Sequence, residues 1–254
     1  MIVAIDIGNT AIKVALLKGR EIVKEKLIYR LDSQATVRAK LIAALSSYKR
    51  FGPKLKDIVI CSVVPRHCKL TEALIKKIYR RKAKVIGRDL KVPIKNNYKN
   101  PRHVGEDRLV GAYAAKCLYA SPLVIIDFGT AVTIDVVGPR GAYEGGIIVP
   151  GIRLSAESLF KKTALLPNIL TFKPPRSLIG RDTRSSILSG LFYGYGALCD
   201  GLIDRISHQM GRRPKVIITG GHTRAMRKLI ARKIHRIDKQ LVIKGIYLTY
   251  KAAR

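Results

Sequence analysis

At 254 residues the chain is long enough to bury a substantial core without disulfide or metal staples. Its 47% hydrophobic content and mean hydropathy of +0.07 exclude extended disorder, and Asp6 and Asp127 interrupt its longest apolar stretches, so no membrane helix is expected. With 49 Lys and Arg against 17 Asp and Glu the net charge is +32, a surface that attracts anions.

Residues 2–7 are β-branched and apolar and read as a buried strand. Gly8-Asn9-Thr10 is a turn, 11–17 the returning strand, and 22–30 a third strand. Helical spacing of Val37, Leu41, Ala44 and Leu45 predicts a helix over 34–50, ending near Gly52-Pro53. A strand at 57–64, a basic amphipathic helix at 67–82 and a short strand at 84–86 follow. Residues 88–120 form an insertion carrying Pro93, Pro101 and a helix at about 108–118. The order then repeats: strands at 122–128, 131–137 and 143–149, helices at 152–161 and 183–210, a strand at 216–219, a helix at 223–232 and a strand near 235–238. The chain is thus predicted to be α/β, a duplicated βββαβαβ fold with a nucleotide cleft between its halves, 1–120 and 121–254.

The duplication is visible in one phrase. Asp6-Ile-Gly8-Asn9-Thr10 and Asp127-Phe-Gly129-Thr130 each sit between two apolar runs. Glycine lets a backbone approach a ligand closely. Convergent turn N–H groups bind anionic oxygens, and a carboxylate at a strand end suits Mg²⁺, which takes few protein ligands alongside phosphates and water. Lys13 adds charge in the first copy only. One copy is equally well an ordinary hairpin turn; two copies favour a nucleotide site. There is no G-x-x-x-x-G-K-[ST], so the phosphate cradle is not a P-loop. Thr219-Gly220-Gly221 ends a strand in a diglycine turn, which by itself is either a tight strand-to-helix connection or a flat surface against which a purine can lie. Gly105-Glu106-Asp107-Arg108 opens a helix. As an isolated tetrapeptide it is as consistent with a capped, salt-bridged helix start as with a base and an anion clamp.

The four cysteines, 61, 68, 117 and 199, form no C-x-x-C pair, and buried reduced thiols are expected. The chain starts with a strand and no basic leader, which predicts a cytoplasmic protein. Basic clusters such as Lys76-Lys77, Arg80-Arg81-Lys82 and Arg212-Arg213 are spread along the chain, aromatics are 6% and Trp is absent, so a nucleic-acid partner is not the expected reading.

Taken together, the phrase at 6–13, Cys61-Ser-Val-Val-Pro65, Gly105–Arg108, Asp127–Ala131, Glu144–Gly151, Thr163–Pro167, Ile179–Thr183, Gly190–Gly196 and Thr219–Gly221 resemble type III pantothenate kinase, of the acetate and sugar kinase/Hsp70/actin superfamily. The resemblance implies a ribonuclease H-like (actin-like ATPase) fold and transfer of the ATP γ-phosphoryl group to pantothenate, the first step of coenzyme A biosynthesis. It implies that Asp6, Gly8, Asn9, Thr10, Lys13, Thr130, Gly220 and Gly221 bind ATP, Asp6 also holding Mg²⁺ directly or through water. Asp127 would bind K⁺ or NH₄⁺. Tyr98, Gly105, Glu106, Asp107, Arg108 and Thr183 would contact pantothenate, with Asp107 the catalytic base at a near-ordinary pKa of about 4. It also implies a homodimer and no membrane association. Two departures stand out: Asp182 where the family often has Asn, and Val132 where a Thr is usual. Two alternatives remain: a protein of this fold recruited for nucleic-acid binding or regulation, and a kinase for another small alcohol.

Overall fold

The computed structural model describes residues 1–30 and 33–254, and it divides into two compact units. The first comprises Met1–Leu118 with Gln240–Arg254, the second Tyr119–Lys239.

The first unit is built on β1 (Ile2–Ile7), β2 (Ala11–Lys18), β3 (Glu21–Tyr29), β4 (Asp57–Ser62) and β5 (Lys84–Val85). Their spatial order is β3-β2-β1-β4-β5, antiparallel from β1 to β3 and parallel from β1 through β4 to β5. Alternation along β1 explains the layering. Val3, Ile5 and Ile7 face one core with Leu41, Leu45 and Tyr48 of α1 (Gln34–Lys49) and Leu74 and Ile75 of α2 (Pro65–Tyr79). Ile2 and Ala4 face a second core with Val110 of α3 (Glu106–Tyr119). The same core holds Ile243, Ile246 and Tyr250 of a C-terminal helix at Leu241–Ala252.

The second unit repeats the plan with β6 (Leu123–Phe128), β7 (Ala131–Val137), β8 (Tyr143–Pro150), β9 (Lys215–Gly220) and β10 (Arg236–Ile237), ordered β8-β7-β6-β9-β10. Its main core packs Val124, Ile126 and Phe128 of β6 against α4 (Ile152–Lys162) and α5 (Thr183–Gln209). Among the described residues α5 is the one helix long and apolar enough to cross a membrane, but Leu188, Phe192, Cys199, Ile203 and Ile206 bury it as a core helix.

Several expectations are corrected. The second half does not keep the chain's end: the Leu241–Ala252 helix, α7, was not expected, and it packs on β1 and β4 of the first unit. Gly245 allows the approach, since a Cβ there would stand 2.4 Å from the Val110 carbonyl oxygen of α3. The helix expected over 223–232 is a single turn, α6 (Thr223–Met226). Further on, Asp200 of α5 engages the backbone instead: its carboxylate accepts from the N–H groups of Ala231 (2.9 Å) and Arg232 (2.8 Å). Strand β4 ends at Ser62, whose hydroxyl accepts from Val64 N–H at 3.1 Å, and α2 begins two residues early with Pro65 at its first turn. Of the cysteines only Cys61 and Cys199 are buried; Cys68 is half-buried and Cys117 exposed.

Candidate active site

In the first unit the sheet register gathers the site. Asp6, at the end of β1, lies opposite Lys13 of β2 and Cys61 of β4, so all three side chains point to one face. The turn between β1 and β2 is closed by Gly8 N–H donating to Ala11 O at 3.0 Å. Its carbonyls are held by one residue. Arg30 Nη1 donates to Gly8 O (3.2 Å) and Asn9 O (2.6 Å), and Arg30 N–H donates to Thr10 O (2.8 Å).

Helix α3 begins at Glu106, not at Arg108 as expected, which places Glu106 and Asp107 in its first turn where the helix dipole favours carboxylates. The Asp107 carboxylate accepts from Arg108 N–H at 2.8 Å and lies over Gly105, where a Cβ would come within 2.7 Å of it. Burial raises the Asp107 pKa against the opposing pull of Arg108, a correction to the near-ordinary value expected. Glu106 is also raised, by burial and then by the Asp107 charge, and it packs against Gly87. Cys61 sits among these groups: burial pushes its thiol well up, and the negative charges of Asp6, Asp107 and Glu106 push it further. Asp6 lies beside Cys61 by register, and Gly105, under the Asp107 carboxylate, packs on Val63, so both carboxylates stand at the same end of β4. Tyr98, half-buried, donates its N–H to Asn96 Oδ1 at 3.0 Å, and Asn96 Nδ2 donates to Pro101 O at 3.3 Å, which straps the insertion loop.

In the second unit Asp127 lies opposite Thr133 of β7 and Thr219 of β9, the positions that Lys13 and Cys61 take in the first. Its carboxylate packs against two glycines: a Cβ would stand 3.4 Å from Oδ1 at Gly129 and 2.4 Å at Gly220. Gly220 has φ +93°, a conformation that suits glycine. Gly221 is exposed with open space above it, and Gly221 N–H donates to Phe128 O at 3.1 Å. His222 follows, edge-on to Phe172 and Phe192 at 6.4 Å, and burial then the Arg153 charge lower its pKa, keeping the imidazole neutral. Thr130 shares the turn with Gly129, and its carbonyl accepts from Gly151 N–H at 3.0 Å. Thr183 is exposed as the first residue of α5.

A family model for type III pantothenate kinase matches residues 2–205. The chain belongs to the type III pantothenate kinase family. Its curated relatives include the type III pantothenate kinases of Persephonella marina, 43% identical with 98% of each chain covered, and of a Sulfurihydrogenibium species, 39% identical over 99% of this chain and 100% of the relative. Among solved structures, a conserved putative Baf family transcriptional activator from Campylobacter jejuni aligns with TM-score 0.61 at 19% identity, covering 98% of both chains. An activator of 2-hydroxyisocaproyl-CoA dehydratase from Clostridium difficile with bound ADPNP aligns with TM-score 0.58 at 16% identity, over 99% and 94%. At such identity these structures establish the fold alone, the duplicated actin-like ATPase fold. As a family member the chain is a kinase: it transfers a phosphoryl group from ATP to the hydroxyl of pantothenate in coenzyme A biosynthesis.

Both departures from the family pattern have local reasons. Asp182 is the N-cap of α5, its side chain accepting from Ser185 N–H at 2.8 Å in a reciprocal capping box, a task that Asn also performs. Val132 is 1% exposed and faces the main core of its unit, so a hydroxyl there has no ligand to meet; the hydroxyl on the Asp127 face is that of Thr133. Sequence reasoning named Cys61 and Thr219 within motifs but gave them no place beside the aspartates, as it gave none to Thr133 or Arg30. Counting strand positions outward from the two aspartates identifies Cys61, Thr133 and Thr219; nothing in the sequence marks Arg30.

Proposed function

We propose that the two aspartate turns divide the labour of a kinase that acts by positioning and charge neutralisation. The turn at Asp6, with Gly8, Asn9, Thr10 and Lys13, takes the ATP phosphates. Thr130 takes the phosphates as well, and Gly220-Gly221, with exposed backbone beside a neutral His222, carries the adenosine. Among the described residues no three His, Cys, Asp or Glu side chains gather as a metal cluster, which fits Mg²⁺ held by the single Asp6 carboxylate together with phosphates and water. Mg²⁺ bound in this way supplies neutralisation of the charge on the transferring group. Asp127, with Thr133 and Thr219 on the same face, offers oxygen donors suited to K⁺ or NH₄⁺.

Pantothenate is read by Tyr98, Gly105, Glu106, Arg108 and Thr183. Asp107 accepts the proton of its primary hydroxyl as the new O–P bond forms and ADP leaves. The observation that supports this reading is that Asp6 stands opposite Cys61 in the β1–β4 register, while the Asp107 carboxylate lies over Gly105, which packs on Val63 just past the end of β4. A base whose pKa is raised toward the working pH is a better proton acceptor than an ordinary aspartate.

The active form is a homodimer formed through the second unit. Leu165, Leu170, Leu178 and Ile179 there are 63–92% exposed, apolar side chains that a second copy would cover. The cytoplasm, where ATP and reduced thiols prevail, is its compartment. The test is ATP consumption with pantothenate, in the presence and absence of K⁺ or NH₄⁺. Turnover that requires pantothenate and rises with the cation supports the reading; no turnover by folded protein with any cation ends it.

A further inference from the structure

The two copies of the aspartate turn differ in how their carbonyls are held. In both, the residue just after the third strand donates its backbone N–H to the last turn residue: Arg30 to Thr10 O at 2.8 Å, and Gly151 to Thr130 O at 3.0 Å. The fold requires only that backbone bond, since glycine provides it in the second unit. There Gly151 also packs tightly, and a Cβ would stand 2.2 Å from Thr130 O and 2.6 Å from Gly129 O. In the first unit the same position carries a guanidinium, whose Nη1 takes the two preceding carbonyls, Gly8 O and Asn9 O. Three consecutive carbonyls of the first turn thus accept from one residue. The addition appears only in the copy that also has Asn9 and Lys13.

A carbonyl oxygen that swings to the ligand side of an anion-binding turn meets phosphate oxygens with like partial charge. A guanidinium on the carbonyl side prevents the swing and leaves its positive charge beside the phosphates. We infer that Arg30 is a positioning residue for the phosphate turn: its side chain ties back Gly8 O and Asn9 O so that the turn presents donors, not acceptors, to the ATP phosphates. This rests on the assignment of that turn to ATP. It goes further in giving a residue that touches none of the reacting atoms a share of nucleotide affinity.

The experiment compares Arg30→Ala and Arg30→Lys with the parent by direct binding of ATP with Mg²⁺, by steady-state kinetics and by thermal melting. Direct binding keeps the inference separate from the choice of acceptor, because nucleotide affinity is read even if pantothenate is not turned over. Loss of the charge-assisted bonds is expected to weaken ATP binding by about 10–100-fold. The KM for pantothenate should stay near the parent value, the melting temperature should move little, and Arg30→Lys should recover part of the affinity. If Arg30→Ala fails to fold, Arg30→Met, which keeps the aliphatic stem, is read in the same way. Unchanged ATP affinity in the Ala or Met variant overturns the inference. So does a loss that falls equally on both substrates and tracks a lowered melting temperature, since that marks a merely structural role.

Discussion

Gly220 and Asp127 are fitted to each other across the β6–β9 pairing: a methyl group on Gly220 would stand 2.4 Å from Asp127 Oδ1 and 2.7 Å from the Phe128 backbone. The glycine also holds φ +93°. Gly220→Ala therefore meets both backbone strain and a displaced carboxylate. It is expected to lose about 1–3 kcal/mol of stability, read by urea denaturation. If Asp127 holds the monovalent cation, the variant also needs more K⁺ for half-maximal turnover than the parent does.

Asp107→Asn removes the proton acceptor but keeps the shape. The expected result is a kcat lowered by roughly 10²–10⁴-fold with ATP binding retained, measured by turnover and by direct nucleotide binding. Stability moves the other way. The folded pKa of Asp107 is raised, so its protonated form is the one folding favours. That contribution is fully present below the unfolded pKa and is lost as pH rises through the folded value. At neutral pH the Asn variant should thus be at least as stable as the parent, and the difference should vanish in acid. Parent activity should fall as pH drops through the raised Asp107 pKa.

The apolar face around Leu178 and Ile179 borders a groove of about 540 Å³ lined by Gly190, Tyr193 and Gly194 of α5. Leu178→Glu with Ile179→Glu places two charges in a surface assigned to a second copy. Sedimentation should show dimer for the parent and monomer for the double variant. A parent that is monomeric at assay concentration would remove the dimer from the proposed function.

Asp57 ties α7 to β4. It accepts from Tyr250 Oη at 2.6 Å and pairs with Lys84 and Arg254 at 3.3 Å each. Burial works to raise its pKa, but the hydrogen bonds from Tyr250, Lys84 and Arg254 outweigh it and the net direction is down. The stability this gives is present above the unfolded pKa and is lost as pH falls through the lower folded value. Tyr250→Phe should cost about 1 kcal/mol and make acid unfolding begin at a higher pH, both visible in melts across a pH series.

The sequence made the sheets legible because β-branched runs with aspartate and glycine at their ends leave few alternatives to a strand and a turn. The long helices followed from apolar spacing for the same reason. What escaped were features set by partners distant in sequence. Asp200, on another helix, holds the backbone at Ala231 and Arg232, where a helix was expected to continue. The pKa of Asp107 comes from the protein packed around it, which no tetrapeptide displays. Helix α7 has apolar residues nearly all round, so no helical period marks it, and its site on β1 begins 239 positions before its own start. Arg30 was illegible because arginine after a strand, in a chain with 49 basic residues, carries no local signal.

The return of α7 to the first sheet has a consequence for synthesis. When the ribosome has released residues up to Lys239, the second unit has its whole sequence and can close. The first still has Ile2, Ala4, Ala15, Leu17, Val59 and Cys61 awaiting their cover from Ile243, Ile246 and Tyr250. The half that is made first is completed last, and in the interval the part of the β1 and β4 face that α7 covers is open to a chaperone or to another nascent chain.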